Sequence, residues 1–597
     1  MSRDRARPSG SLPLASIALA LLGAVAGAWL LAGGRVDAEL PLAGPFGPLR
    51  VLAEPSSGPF VLLASVVGGA AAFALRGEEA TPRARLLLFT FLVGTLAVPF
   101  AGDAFGLLVA WELMSVSPGL LLVLDLDPER RRAGLVYLAY ASVSALLVAL
   151  GLFVGDPGKL GPLPATGGAI LLVGAAMKAG LMPTHVWLPR AHAAAPSPFS
   201  ALMSGVMVAM PAYLVIRFVV PAGLPPAIAV LVLLAGAASA ALGSLHALPE
   251  RNLKRVLAMT TVAHIGVAFA LLGLALLLEG AAREYAVGAC VAYLVTHGLA
   301  KGACFLVAGE IHHATGELDL ESLGGLWRAM GALGALGLVA GLSLAGLPPL
   351  GGFTSEVAAL SAVAASVAAL PATLGIVVLG SLLLLGVGAA AGAAAVAKVV
   401  LGAFQGPVRT PPTHATPRLA PIAILVAALA LVGAFPGVLW GAADPLVLPL
   451  PSGVLAPLPI LLIAVVVLGL LAFATRRVRD PTRVAPWACG GPAPSMRSAY
   501  TPAGLVMPYR ILFAEVVRPS SGLSLQEAPV APFAPARGHY KDPEREFIEP
   551  WVHRPLRSML LPFIERVRAL HRGSVHAYLV AGVATLLLAL FLVEVLP

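Results

Sequence analysis

Charge is scarce in this chain: charged residues occupy 12% of its 597 positions and aromatics 6%. A soluble globular domain usually carries about 25% charged residues. Cysteine is rarer still. Cys290, Cys304 and Cys489 stand far apart, with no C-x-x-C spacing among them. Iron–sulfur and zinc frameworks need clustered thiolates, so neither a bound cofactor nor a metal site is expected. What the chain has in plenty is apolar surface. Hydrophobic residues make up 58% of the sequence and the mean hydropathy is +0.91. Runs such as "LASIALALLGAVAGAWLLAGG" recur from end to end, and a bilayer core asks about twenty such residues of a helix. The pattern excludes a soluble enzyme and predicts an all-α polytopic membrane protein in a lipid bilayer. The net charge of +9 then follows from membrane topology, and nucleic acid is not an expected partner. Arg3, Arg5 and Arg7 precede the first apolar run, which reads as a retained anchor rather than a cleaved leader.

Candidate spans lie near 14–33, 58–76, 85–101, 104–124, 134–154, 167–182, 199–220, 226–247, 254–278 and 285–309. Others lie near 332–348, 354–371, 374–402, 418–440, 455–475 and 574–595. Sixteen crossings would export the segment 476–573, which carries on the order of fifteen Lys and Arg residues and belongs inside. Treating 332–371 as one helix broken at "AGLPPLGGF" restores the balance. About fifteen crossings remain, with a cytoplasmic N-terminus, and about 31 of the 39 basic residues fall inside. The expected organisation is N-terminal helices over 1–84, a core over 85–405 and further helices over 406–475. A cytoplasmic-side basic segment follows over 476–573, with a lateral amphipathic helix near 551–570, and a last span over 574–597.

The break has a partner. "AGLMP" at 179–183 matches "AGLPP" at 345–349, which makes Pro183, Pro348 and Pro349 the expected interruptions. Two interrupted helices at corresponding places in two halves point to an inverted repeat with polar groups near the membrane midplane.

Ionisable residues inside the spans agree. Glu112 lies within "VAWELMSVS" and Lys178 two spans later. Tyr293, His297 and Lys301 recur every four residues on one helix face. Glu356 follows the second break, and Lys398 lies late in its span. An unpaired charge at a helix centre costs roughly 2.5–3.5 kcal/mol on insertion scales, so these groups should face one another around a hydrated interior. Acid, base and imidazole in alternation suit a proton relay. Each has a plainer reading: a structural salt bridge for Glu112, snorkelling for Lys178 and Lys398, a satisfied core histidine for His297. Asp103 reads as a helix end, Lys254, Arg255 and Arg130 to Arg132 as topology anchors, and His312 and His313 as a loop pair.

Several stretches resemble the antiporter-like proton-channel family of respiratory complex I, cation/proton antiporters and group 4 hydrogenases. They are "WELMS" (111–115), "MKAGLMPTHVWLPRAH" (177–192), "SALMSGVMV" (200–208), "NLKRVLAMTTVAHIG" (252–266), "THGLAKGACFL" (296–306) and "GLPPLGGFTSE" (346–356). "WACGGPAPSMRSAYTPAGLVMPYRILF" (487–513) and "RGSVHAYLVAGVATLLL" (572–588) narrow the likeness to the hydrogenase-4 and formate hydrogenlyase large membrane subunit. The resemblance implies two inverted five-helix repeats, about 85–220 and 226–402, and a non-catalytic, proton-translocating subunit of a redox-driven complex. It assigns Glu112 and Lys178 to an acid–base pair, His297 and Lys301 to a central relay, and Glu356 to the second break. His185, Tyr293 and Lys398 are secondary relay candidates. Other membrane subunits and a peripheral redox module, hydrogenase-like or quinone-linked, are the implied partners, in a bacterial cytoplasmic membrane. Ala209 stands where many relatives carry lysine, and Ala263 where an acid is common. Two alternatives stay open: a subunit of a cation/proton antiporter, and a membrane scaffold whose relay has decayed.

Overall fold

The computed structural model describes residues 11–413, 416–435, 501–513, 522–526 and 537–541, with positions 558, 561, 562 and 565. The chain divides into a unit 1–514 and a unit 515–597. Thirteen helices among the described residues are long and apolar enough to cross a membrane.

The first unit starts with α1 (Ser11–Leu31) packed along α2 (Gly58–Ala74). Between them lies an antiparallel hairpin, β1 (Val36–Gly44) and β2 (Gly47–Ala53). The hairpin fixes the next helix pair. The Arg50 amide donates to Asp103 (2.8 Å), whose other oxygen accepts from the Gly106 amide (2.8 Å) and caps the helix that follows. Asp103 is indeed a helix end.

Two sets of five membrane helices follow, each with an interrupted fourth member. The first comprises α3 (Pro82–Ala97), α4 (Ala104–Val123), α5 (Pro128–Phe153) and α6 (Ala165–Ala179). α6 resumes after its break as a 3₁₀ turn (Thr184–Val186) and α7 (Trp187–Ala194). Its fifth member, 197–222, is composite: α8 (Ser197–Leu202), a π turn (Met203–Met207), α9 (Met210–Leu214) and a second π turn (Val215–Val219). The second set comprises α10 (Pro226–Ala247), α11 (Leu253–Leu277), α12 (Gly280–Thr315), α13 (Trp327–Leu344) resuming as α14 (Gly351–Ala369), and α15 (Ala372–Phe404). Side chains of Thr81, Asp127 and Asn252 accept from first-turn amides and start α3, α5 and α11. Among the described residues α16 (Ala420–Ala434) and α17 (Pro502–Leu512) follow, α17 lying against α15.

The two breaks are one motif used twice. Gly180 and Gly346 are left-handed, with φ of 78° and 67°. In each case the next amide reaches back five residues, Leu181 to the Ala176 carbonyl (3.1 Å) and Leu347 to the Leu342 carbonyl (3.0 Å). That is how a glycine beyond a helix end satisfies its orphan carbonyls. A cis proline bond follows at Met182–Pro183 and at Pro348–Pro349.

Three expectations change in detail. α13 and α14 have 18 and 19 residues, so each arm alone rises about 27 Å or more and is longer than half a crossing. α12 runs 36 residues, to Thr315, so His312 and His313 sit in its last turn and not in a loop. His313 Nε2 there lies 3.6 Å from Glu79 Oε2. Lys254 is no exposed anchor: it is buried, with Nζ donating to the Ala195 carbonyl (2.9 Å).

In the unit 515–597, β3 (Gly522–Gln526) pairs antiparallel with β4 (Arg537–Lys541). The expected spans 455–475 and 574–595 lie outside the described residues, as does the lateral helix near 551–570 apart from four helical positions.

Candidate functional site

Lys178 occupies the last turn of α6, just before the first break, and is 2% exposed. Nζ donates to Ser115 Oγ (2.7 Å) on α4 and to Tyr137 OH (3.2 Å) on α5, and stands 5.0 Å from the Tyr137 ring centre. Ser115 Oγ in turn donates a hydrogen bond to the Trp111 carbonyl (2.7 Å), and Tyr137 OH donates to the Ser115 carbonyl (2.8 Å). Trp187 Nε1, just past the break, donates to the Met177 carbonyl (3.1 Å). The lysine is thus held by neutral oxygens and an aromatic face. Glu112, one turn before Ser115, is half-buried and its charge acts on Lys178 through space. Among the described residues no contact within 4.0 Å joins the two side chains.

Lys301 is fully buried on α12. Its Nζ donates to the Leu257 carbonyl (2.9 Å) and to Thr260 Oγ1, both on α11. Four residues earlier, the His297 ring stands 5.2 Å from that of His264. His264 Nδ1 is 2.7 Å from Tyr293 OH, and Thr296 Oγ1 donates to Ser355 Oγ (2.9 Å) on α14. His264, Tyr293, His297 and Glu356 share a small cavity of about 10 Å³, near the minimum for one water. The Glu356 carboxylate lies over Gly346, so close that a Cβ built there would come within 1.9 Å of Oε2.

Between the two groups runs the first π turn. Gly205 in it and Gly298 on α12 face each other so closely that a Cβ on Gly205 would stand 2.7 Å from the Gly298 carbonyl oxygen. Small residues permit such approach in membrane bundles. Tyr137 OH also contacts Met207 Sδ (3.4 Å), and Ser204 Oγ pairs with Thr261 Oγ1 (2.7 Å). Hydroxyl partners therefore run from Lys178 to Tyr137 and resume at Ser204. Met207 stands in the interval, and the buried Ala209 follows two residues on in the same span.

The structure thus gathers Tyr293, His297, Lys301 and Glu356 in one half and sets Lys178 and Glu112 in the other. His185 is buried in the 3₁₀ turn after the first break. Lys398 does not join them: its Nζ donates to the carbonyls of Ala247 (3.2 Å), Leu248 (2.6 Å) and Glu250 (2.5 Å), at the end of α10. Several polar residues escaped sequence reasoning. Ser115, Tyr137 and Thr260 are the lysines' actual partners. His264 had a readable signal, since Thr260, Thr261 and His264 fall on one face of α11. His192, fully buried on α7, stacks on Phe305 with ring centres 4.8 Å apart, and neither ring nitrogen has a partner among the described residues.

Comparison with known proteins places this geometry. The family model described as "NADH:quinone oxidoreductase/Mrp antiporter, TM" matches residues 158–384. An uncharacterized protein of Mycobacterium tuberculosis is 32% identical over 638 aligned residues, covering 93% of this chain and 97% of that one. Formate hydrogenlyase subunit 3 of Escherichia coli is 34% identical over 382, covering 58% of this chain and 60% of the subunit. Among solved structures, a chain of an archaeal membrane-bound sulfane sulfur reductase superposes with a TM-score of 0.69 at 20% identity, covering 97% of this chain and 99% of that one. That last likeness is one of fold.

Proposed function

Since the chain belongs to the membrane family shared by NADH:quinone oxidoreductases and Mrp antiporters, we propose that it translocates protons as a non-catalytic subunit of a redox-driven complex. The complex is of hydrogenase-4 or formate hydrogenlyase type, in a bacterial cytoplasmic membrane, with other membrane subunits and a peripheral redox module as partners. The likeness to formate hydrogenlyase subunit 3 supports that choice. The N-terminus is assigned to the cytoplasm, since Arg76, Arg130, Arg251 and Arg255 all stand at the α2, α5 and α11 termini of one end of the bundle.

One observation carries the proposal. Two fully buried lysines, Lys178 and Lys301, sit in different five-helix sets and, among the described residues, are hydrogen-bonded to neutral oxygens alone. An ammonium so held breaks no ion pair when it gives up its proton. A proton arriving on Glu112 removes the negative charge that acts on Lys178. The ammonium is then less favoured, and its proton moves on toward His297, Lys301 and Glu356. Redox chemistry in the partner would drive the cycle by shifting charge near these groups.

Lys178→Arg tests it directly, because a guanidinium cannot release its proton at accessible pH. Proteoliposomes holding the whole complex should lose proton uptake while the subunit still assembles. Uptake at the normal rate would remove lysine deprotonation from the mechanism. The interruption at Met207 and Ala209 favours a second reading, a scaffold with a severed relay, for which wild-type proteoliposomes would show no uptake through this subunit.

A further inference from the structure

An apolar cavity in the second five-helix set has a carboxylate in its wall. It measures about 130 Å³ and lies between α10, α11, α14 and α15. Val267, Leu271, Val363 and Leu385 give it apolar walls, and Glu356, His264 and Tyr293 close one side. Its mouth is on the outer face of the bundle. Leu360, which lines it, is 56% exposed, and the neighbouring outer residues Leu379 and Leu383 on α15 are 49% and 74% exposed. These are apolar residues of membrane-spanning helices, so the mouth is reached from the hydrocarbon. Glu356 itself has no hydrogen bond or ion pair among the described residues. His264 is already engaged with Tyr293 through Nδ1, and Glu356 is the carboxylate in the cavity wall.

We propose that this cavity is a binding site for lipophilic amines, entered from the bilayer between α14 and α15. Such a ligand brings what the cavity lacks, a cationic N–H donor for Glu356, and carries an apolar body that matches the walls. A charge-assisted hydrogen bond formed away from water is strong, while a neutral molecule of the same shape gains only the apolar contact. Amine selectivity is therefore the signature. This inference does not rest on the proton-translocation reading, although it uses the same Glu356, and it is read by labelling rather than transport.

The experiment uses native membranes and two photoaffinity probes, each a dodecyl chain with a diazirine near its head. One ends in a dimethylamino group and the other in a hydroxyl. After irradiation, labelled residues are mapped by mass spectrometry. The amine should label residues 356–363 and 382–392 at least tenfold more than the alcohol, and Glu356→Gln should bring it down to the alcohol's level. Leu360→Trp, at an exposed position where the larger ring is accommodated, should close the mouth and abolish labelling by both. Equal labelling by amine and alcohol in the wild type would overturn the proposal. So would undiminished amine labelling in Glu356→Gln, unchanged labelling in Leu360→Trp, or no label on α14 and α15 from either probe.

Discussion

Gly346→Ala puts the second break to a quantitative test. The glycine is left-handed, with φ 67°, and a side chain in that region costs about 1–2 kcal/mol. The larger effect is on Glu356. The new methyl would stand 1.9 Å from Oε2 and 2.3 Å from the carboxyl carbon. Ordinary contact begins near 3.5 Å, so the carboxylate must retreat by roughly 1.5 Å. Misplacement of about 1 Å at a reacting group can cost on the order of a hundredfold. Gly180→Ala is the matched control. It carries the same backbone penalty at φ 78°, but its methyl meets Leu188 Cδ1 at 2.7 Å, the end of a flexible side chain. Thermal unfolding of the purified complex should register a similar loss for both variants. Proton uptake in proteoliposomes should fall about a hundredfold for Gly346→Ala and far less for Gly180→Ala. If Gly346→Ala transports at the wild-type rate, Glu356 has no positional role at the break and should be dropped from the relay.

Further outcomes follow from other parts of the molecule. Glu112→Gln should abolish proton uptake and leave assembly intact, since an amide cannot carry the proton that unsettles Lys178; wild-type uptake would exclude it. Thr260→Val removes one of two acceptors of Lys301 and should slow uptake about tenfold or more, as hydrogen bonds to charged groups contribute about 1.5–3 kcal/mol; an unaltered rate would contradict this. Outside the membrane segments, burial alone would push Glu79 up, but the contact with His313 and the charges of Lys254, His313 and His312 outweigh it and hold the carboxyl below its usual value. A depressed acid stabilises the fold above its unfolded-state value and stops doing so as the pH falls through its folded value. The advantage of wild type over Glu79→Gln should therefore be full above about pH 4.5 and fade at lower pH, as melting curves of the two proteins across pH 3–6 would reveal. Finally, Tyr540→Cys should resist an impermeant thiol reagent in sealed right-side-out vesicles; labelling there would reverse the assigned topology.

The spans were legible because a bilayer demands long apolar runs, and the breaks because Ala-Gly-Leu-x-Pro encodes a left-handed helix end followed by a residue that cannot donate. Lys178, Lys301 and Glu356 stood out as ions in apolar surroundings. Their partners did not. Ser115, Thr260 and Tyr137 are unremarkable in any membrane helix, and only the packing of α4, α5 and α11 turns them toward the lysines. The two π turns left no trace, since residues 203–219 are almost wholly apolar and carry no period to be disturbed. The hairpin β1–β2 was hidden by the Pro and Gly within its strands. Glu112 and Lys178 look like a pair on a linear map, yet the hydroxyls of Ser115 and Tyr137 take the lysine instead.

Lys398 shows what a buried lysine looks like when it works as a fastener. It lies near the end of α15, the last helix of its set, and hydrogen bonds to three carbonyls clasp the chain at the end of α10, the first. An ammonium has three protons to give, and backbone carbonyls of three residues accept from it here. Were it to lose a proton, the clasp would slacken and the hoop of five helices would open at that rim. A change of protonation at Lys301 redistributes charge inside a closed ring; the same change at Lys398 would be a mechanical event.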